Sequence, residues 1–337
     1  MAPLVSVIMA VYNGERYLRE AVDSILSQTF RDFEFIVIND GSSDATGAIL
    51  SGYSDSRLRI LDNERNLGLV ASLNKGLAAA QGKYIARQDA DDISLPERLE
   101  RQVATLESQR DLLIIGGGAL IIDAEGHPLR EVSVYYRDFE IKWTLLWGNP
   151  FFHSASMFRA EAAKSLRGYS ESEAYCVTED YDFFSRLTFA GRAEIMRQVV
   201  IKWRDHAHSI SQQRSGLQRE QALAVSRENL GRVLGRPLED LEWCAWHKFH
   251  LSTPGETVVF GATESRALAY LLLEIPRRFY RRPEFIGMDA RAHRRRTLLL
   301  WARHALALVI RRQVATMKAA AALLQTSSAL LRYACAN

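Results

Sequence analysis

Apolar positions along the first hundred residues switch repeatedly between two periods. Val5-Ser6-Val7-Ile8-Met9-Ala10-Val11-Tyr12 is rich in β-branched residues and reads as a buried strand. Asn13-Gly14 breaks it, and Leu18, Ala21, Val22, Ile25 and Leu26 then recur at helical spacing between Tyr17 and Gln28. Phe33 to Ile38 predicts a second strand, and Asn39-Asp40-Gly41-Ser42-Ser43-Asp44 a turn into a helix over Thr46 to Tyr53. Leu58 to Leu61 gives a third strand. Asn66-Leu67-Gly68 opens a helix to about Ala80, Gly82 stops it, and Tyr84 to Ala86 is a fourth strand. Strands alternating with helices imply right-handed crossovers, hence an α/β fold with a mostly parallel sheet covered on both faces.

Polar residues gather at the C-terminal ends of those strands: Tyr12 and Asn13, then Asp40, then Asp89 and Asp91. In open α/β sheets ligands bind along that edge. The run Asp89-Ala90-Asp91-Asp92 carries the most information. Three carboxylates in four residues repel one another and resist burial without a cation among them. A hard divalent ion shared with substrate phosphates resolves the repulsion. A solvated acidic turn capping a helix from about Leu95 is the simpler alternative, since carboxylates favour helix N-termini.

The segments VSVIMAVYNGERYLREAVDSILSQTF, FEFIVINDGSSDAT, NLGL and GKYIARQDADDISLPERLE, in that order, resemble the inverting GT-A glycosyltransferases of the large family 2 group. The likeness covers Pro3 to Gln109, and weaker signals continue to about Ser211. It implies a GT-A, Rossmann-like sheet flanked by helices. It also implies a nucleotide-sugar donor, commonly a UDP-sugar, and a divalent metal, Mn²⁺ or Mg²⁺, as cofactor. By that resemblance Asp40 recognises the nucleotide base, Asp89 the ribose, and Asp91 the metal. Val11 and Tyr12 line the base slot, and Arg65 either approaches the nucleotide as a cation or is an ordinary solvated arginine. A carboxylate can accept the uracil imide N–H, which suits Asp40; capping the turn through Gly41 and Ser42 is its other role. Asp92 is placed outside the ligand set, as a cap of the following helix.

Beyond Gln109 the apolar run Leu112 to Ile122 is broken by Gly116-Gly117-Gly118, and Asp123-Ala124-Glu125-Gly126 reads as a hairpin turn. Asp138 to Trp147 predicts a helix whose Trp143 and Trp147 sit one turn apart, as core or as a sugar platform. Asn149 to Arg159 is similar to the family's central strand, with His153 as a structural hydrogen-bonding residue. Thr178-Glu179-Asp180-Tyr181-Asp182-Phe183 resembles the segment that carries the general base, which makes Asp180 the catalytic candidate. Compensation of the N-terminal dipole of a helix over Asp180 to Ala190 is the alternative. Trp203-Arg204-Asp205-His206 resembles the family's closing stretch, with His206 as metal-site histidine and His208 as its rival.

The chain has 337 residues, 47% hydrophobic, with a net charge of +3, which gives no argument for nucleic acid. Such a length holds a catalytic domain over residues 1–215, with halves meeting at 109, and a helical, basic region over 216–337. Cys176, Cys244 and Cys335 lack metal or CxxC spacing, which fits reduced thiols and a cytoplasmic setting. Met1-Ala2-Pro3 runs straight into the first strand, without the pattern of a signal peptide. Helical periodicity covers 218–234, 238–249, 263–275 and about 290–331, and Arg277, Arg278, Arg281, Arg282, Arg291, Arg294, Arg295 and Arg296 concentrate the charge. The apolar stretch among them falls short of the ~20 residues a spanning helix needs. A basic amphipathic tail suits either an anionic membrane surface, peripherally bound, or a solvated cap.

The leading expectation is a metal-dependent inverting glycosyltransferase acting on a glycan or lipid-linked acceptor in cell-surface polysaccharide synthesis. A nucleotidyltransferase is disfavoured because Tyr12 to Arg16 holds a single glycine where a phosphate loop needs several. A non-catalytic membrane scaffold has no need of Asp40, Asp89, Asp91 and Asp180 together.

Overall fold

The computed structural model describes residues 2–207, 209, 213–251, 260–282 and, further on, 294–295, 297–298, 321 and 324–330. It divides into two compact units, Met1–Ala222 and Leu223–Asn337. The first is α/β. Strands β1 (Val5–Val11), β2 (Phe33–Asn39), β3 (Leu58–Asp62) and β4 (Tyr84–Arg87) alternate with helices α1 (Leu18–Leu26), α2 (Thr46–Ser51) and α3 (Leu69–Ala79). These four strands run parallel in the order β3-β2-β1-β4. Leu18, Ala21, Val22 and Ile25 of α1 are fully buried against Val5, Val7 and Met9 on one face of β1. Leu18, Val22 and Ile25 are each worth roughly 1.5–3 kcal/mol of apolar transfer, so the apolar stripe of α1 fixes which of its faces meets the sheet.

The sheet continues without a break past Gln109. After the two-residue β5 (Ile93–Ser94) and α4 (Arg98–Ser108) come β6 (Leu112–Ile122), β7 (Pro128–Val132) and α5 (Asp138–Thr144). They are followed by β8 (Met157–Arg159), α6 (Ala160–Ser165), α7 (Glu179–Ala190) and β9 (Arg192–Arg204). The order across the sheet is β3-β2-β1-β4-β8-β6-β9-β5, with β7 outside β6. Strand β8 lies antiparallel to both β4 and β6, while β9 runs parallel to β6.

Several expectations change here. The helix anticipated from Leu95 begins at Arg98, because Ile93-Ser94 pairs with Lys202 and Ile201 of β9 instead. The three glycines do not break the apolar run. They let β6 pass close to its neighbours, since a Cβ on Gly117 would lie 2.4 Å from a Val200 methyl carbon. Helix α5 ends at Thr144, short of Trp147; Trp143 is buried and meets the half-buried Trp147 edge-on at 5.6 Å. The strand expected over 149–159 shrinks to β8, preceded by a short 3₁₀ turn at His153–Ala155.

Helix α8 (Ser215–Leu234) crosses the boundary between the units. The second unit holds α9 (Asp240–Leu251) and α10 (Ala262–Phe279), packed together around Trp246, Leu268, Leu272 and Ile275. Arg277 and Arg278 each bond Glu274, and Arg278 also donates to the Leu234 carbonyl at the end of α8. The helix expected over 290–331 lies largely outside the described residues. Among those described, no helix is long and apolar enough to cross a membrane.

Candidate active site

The loops after β1 and β2 interlock at the C-terminal edge of the parallel strands. Asn13, in the left-handed region at φ 51°, accepts at its side-chain oxygen from the Ser43 N–H, while its own N–H donates to Ser42 Oγ. Gly14 N–H donates to Thr46 Oγ1, and Glu15 accepts from Ala45 N–H. This latch leaves Tyr12 half exposed above the fully packed Val11. Asp40 is buried. Its carboxylate accepts from Asn63 Nδ2 at 2.7 Å and from the Leu67 and Gly68 amides at 2.9 Å each. It thus ties β2 to the loop before α3 rather than capping Gly41 and Ser42; Asn39 Oδ1 receives the Ser42 N–H. Three of about four carboxylate acceptor positions are filled, leaving one. Arg65 is exposed on that same loop, whose backbone presses on Gly41 so closely that a Cβ there would lie 2.4 Å from the Arg65 carbonyl carbon.

The acidic run follows β4, and its three carboxylates take three different environments. Asp89 accepts from Arg87 Nη2 and, at 2.6 Å, from Ser154 Oγ. Burial opposes its ionisation, but the Arg87 guanidinium and the Ser154 hydroxyl hold it below the ordinary carboxylate range. Asp91 Oδ2 lies 2.9 Å from His206 Nε2. Asp92 is buried; its Oδ1 accepts the Arg204 N–H at 2.9 Å, and Oδ2 has no partner among the described residues. Burial and then the like charges of Asp91 and Asp89 push Asp92 well above the usual carboxylate range. Its expected role as a helix cap is thereby corrected: α4 starts six residues later, with Glu97 at its N-cap.

Two buried arginines underlie this turn. Arg87 is paired with Asp89, while Arg98 spends all five N–H groups on neutral acceptors: Gln102 Oε1, Gln88 Oε1, Ser94 Oγ and the Arg87 and Ser156 carbonyls. Burial, then the neighbouring Arg87, lower the Arg98 pKa to about 9. Neither arginine stood out in the sequence: Arg87 follows directly on the predicted fourth strand and Arg98 lies inside the predicted helix, and nothing beside them in the chain marks either as buried.

The second acidic pair opens α7. Asp180 is half-buried; Asn149 Nδ2 donates to its Oδ2 at 2.8 Å and the Tyr181 N–H to its Oδ1 at 2.7 Å. Burial raises it from 3.8 to about 6, opposed by the Tyr181 N–H and reinforced by the negative charge of Asp89. Glu179 is buried beside it and is raised to about 8 by burial and then by Asp180. The protons belong to the pair as much as to either residue. One segment joins both acidic centres: Asn149 holds Asp180 and, five residues on, Ser154 holds Asp89. Between them His153 donates to or accepts from the Tyr169 hydroxyl at 2.9 Å and stacks edge-on against Phe184, a structural role. Burial, with Arg87 nearby, lowers His153 to about 3, so it is neutral.

The donor set available to a cation is Asp91 and His206. Two cis ligands of an octahedral ion with metal–ligand distances of ~2.1 Å lie ~3.0 Å apart. The 2.9 Å between Asp91 Oδ2 and His206 Nε2 is a hydrogen-bond distance that is also compatible with that spacing. Among the described residues no group of three or more His, Cys, Asp or Glu side chains is placed to hold a metal. A two-residue site completed by diphosphate oxygens and water is the form Mg²⁺-like ions adopt. His208, the rival of His206, lies outside the described residues.

Comparison with known proteins adds a lineage to this geometry. The model of Glycosyl transferase family 2 matches residues 6–167. EpsE of Bacillus subtilis, whose name describes a glycosyltransferase, is 36% identical over 247 residues, covering 72% of this chain and 87% of EpsE. An uncharacterized glycosyltransferase of Haemophilus influenzae is 34% identical over 244 residues, 69% of this chain and 75% of that protein. TarS of S. aureus, solved with UDP-GlcNAc, superposes with a TM-score of 0.58 over 98% of this chain and 91% of the TarS chain, at 16% identity, a likeness of fold. The chain belongs to glycosyl transferase family 2 and is a GT-A glycosyltransferase.

Proposed function

We propose that this family 2 glycosyltransferase moves a sugar from a nucleotide-sugar donor, a UDP-sugar, to a hydroxyl of a glycan or lipid-linked acceptor, with inversion. The observation that carries the reading is the Asn149–Ser154 segment, which bonds the base candidate Asp180 and the donor-side Asp89 in one stretch of six residues. TarS, of the same fold, has been solved with UDP and with UDP-GlcNAc, which supports a uridine diphosphate donor.

In this reading the uracil imide N–H takes the acceptor position that Asp40 has left, with Val11 and Tyr12 as walls of the base slot and Arg65 near the nucleotide. Asp89 receives the ribose hydroxyls. Asp91 and His206 hold a divalent cation, Mn²⁺ or Mg²⁺; when bound, it neutralises charge gathering on the departing diphosphate. Asp180 accepts the proton of the attacking hydroxyl as the new glycosidic bond forms and the bond to diphosphate breaks. Raised to about 6, it is still mostly ionised at neutral pH yet basic enough to take that proton. Burial and the charge of Asp89 thus tune the base toward the working pH.

The test is release of nucleoside diphosphate from a panel of nucleotide sugars, with and without Mn²⁺, alongside a thermal-shift screen of the same compounds. One UDP-sugar should stabilise the protein and be turned over only with the ion. Stabilisation by a different nucleotide class, or turnover undiminished in EDTA, overturns the donor or the metal part respectively.

A further inference from the structure

Arg204 is 2% exposed, and every nitrogen of its guanidinium is engaged. Nε donates to the Asp91 carbonyl at 3.0 Å, Nη1 to the Ala124 carbonyl at 3.2 Å and more weakly to that of Asp123, and Nη2 to Glu20 Oε2 at 2.9 Å. One side chain thereby joins the acidic run, the β6–β7 turn and α1. The guanidinium also lies over the Tyr17 ring, 4.4 Å from its centroid. Tyr17 in turn packs against His206, with ring centroids 5.0 Å apart.

The backbone makes the same connection. In the antiparallel β5–β9 pairing Ile93 faces Lys202. Two residues outward on each strand, that register brings Asp91 opposite Arg204, and the Arg204 N–H closes the gap by donating to Asp92 Oδ1. The two side chains assigned to the cation therefore sit on either side of one arginine: Asp91 across the strand pair, His206 two residues along the chain. We propose that Arg204 is a positioning residue that sets the Asp91–His206 spacing, through the Asp91 carbonyl on one side and through Tyr17 on the other. The inference rests on the reading of Asp91 and His206 as cation ligands.

The arrangement calls for arginine. A lysine ammonium is a single point of charge and cannot reach carbonyls in two directions and a carboxylate in a third while lying flat on a ring. Glu20, with its side chain 57% exposed, neutralises the buried cation from the solvent side. Partners that orient metal ligands typically change metal affinity about 10–100-fold when removed.

The experiment measures Mn²⁺ binding at saturating UDP, by loss of the free-ion paramagnetic signal, and separately the Mn²⁺ dependence of turnover. Arg204→Lys should weaken Mn²⁺ binding at least about tenfold, while turnover at saturating Mn²⁺ falls much less. Glu20→Ala, at an exposed position, should shift Mn²⁺ binding in the same direction by a smaller factor. A folded Arg204→Lys protein with the parent's Mn²⁺ affinity overturns the proposal. Should that variant fail to fold, parent-like affinity in Glu20→Ala overturns it instead. Asp91→Asn separates the two levels. If it binds Mn²⁺ as the parent does, the cation site itself is misassigned. If it loses the ion while Arg204→Lys and Glu20→Ala retain it, only the role of Arg204 falls.

Discussion

The acidic run after β4 and the acidic pair opening α7 solve the same problem in opposite ways. Both crowd carboxylates into partly buried ground. At the first, Arg87 sits against Asp89, and the Arg204 N–H meets Asp92. Asp89 ends up below the ordinary carboxylate range, while burial and its neighbours' like charges push Asp92 above it. At the second, no arginine bonds either acid among the described residues; the donors are the Asn149 amide and the Tyr181 N–H. Burial there outweighs the neutral donors that oppose it, and both groups rise. Folding thus favours the ionised form at Asp89 and opposes it at Glu179 and Asp180, the division that the proposed donor and base roles require.

The sharpest way to break this contrast is Asp180→Asn, which preserves the Asn149-facing shape and removes the basic oxygen. Turnover should drop by about 10²–10⁴-fold with donor affinity, by calorimetry, unchanged; normal turnover would leave the rising pKa at α7 without a chemical purpose. Arg87→Met attacks the other end. Removing the cation from a largely buried pair should cost about 3 kcal/mol in urea unfolding, whereas a loss under 1 kcal/mol would mean that solvent, not Arg87, keeps Asp89 ionised.

Glu179 offers a test through stability. Its native pKa of about 8 exceeds its ordinary 4.5, so the native state binds more protons than the unfolded chain between those values. Stability from this group is present at low pH and is lost as pH rises through about 8. Glu179→Gln should flatten that decline in thermal melts taken from pH 5 to pH 8; an unchanged slope would place the titration elsewhere. Asp180 gives the smallest readout. Log kcat/KM should be level above about pH 6 and fall with unit slope below it as the base is protonated. Asn149→Ala deletes a hydrogen bond that favours the ionised form, so the acid limb should move upward by a fraction of a unit. A downward move would show that Asn149 stabilises the neutral acid.

Short β-branched, near-continuous apolar runs in Val5–Val11 and Phe33–Asn39, with helical spacing in Leu18–Leu26, made the parallel half readable, because each element advertises its type locally. The clustering of Asp40, Asp89 and Asp91 at one sheet edge follows from that topology alone. The second half was harder to read. Only three residues of the stretch before α6 form a strand, since β8 needs no more than β4 and β6 to pair with. The glycines of β6 looked like breaks because their purpose, close passage beside β9, lies on another strand.

Residue types and their order thus determined the family, the sheet edge and the acids set along it. The tertiary structure alone decided that Asp89 is favoured as an anion while Asp92, Glu179 and Asp180 are pushed toward the neutral form. Arg87, Arg98 and Arg204 are anonymous basic residues in a linear reading, and a carboxylate's charge depends on burial and on cations brought near it by folding, neither of which is a property of the residues beside it in the chain.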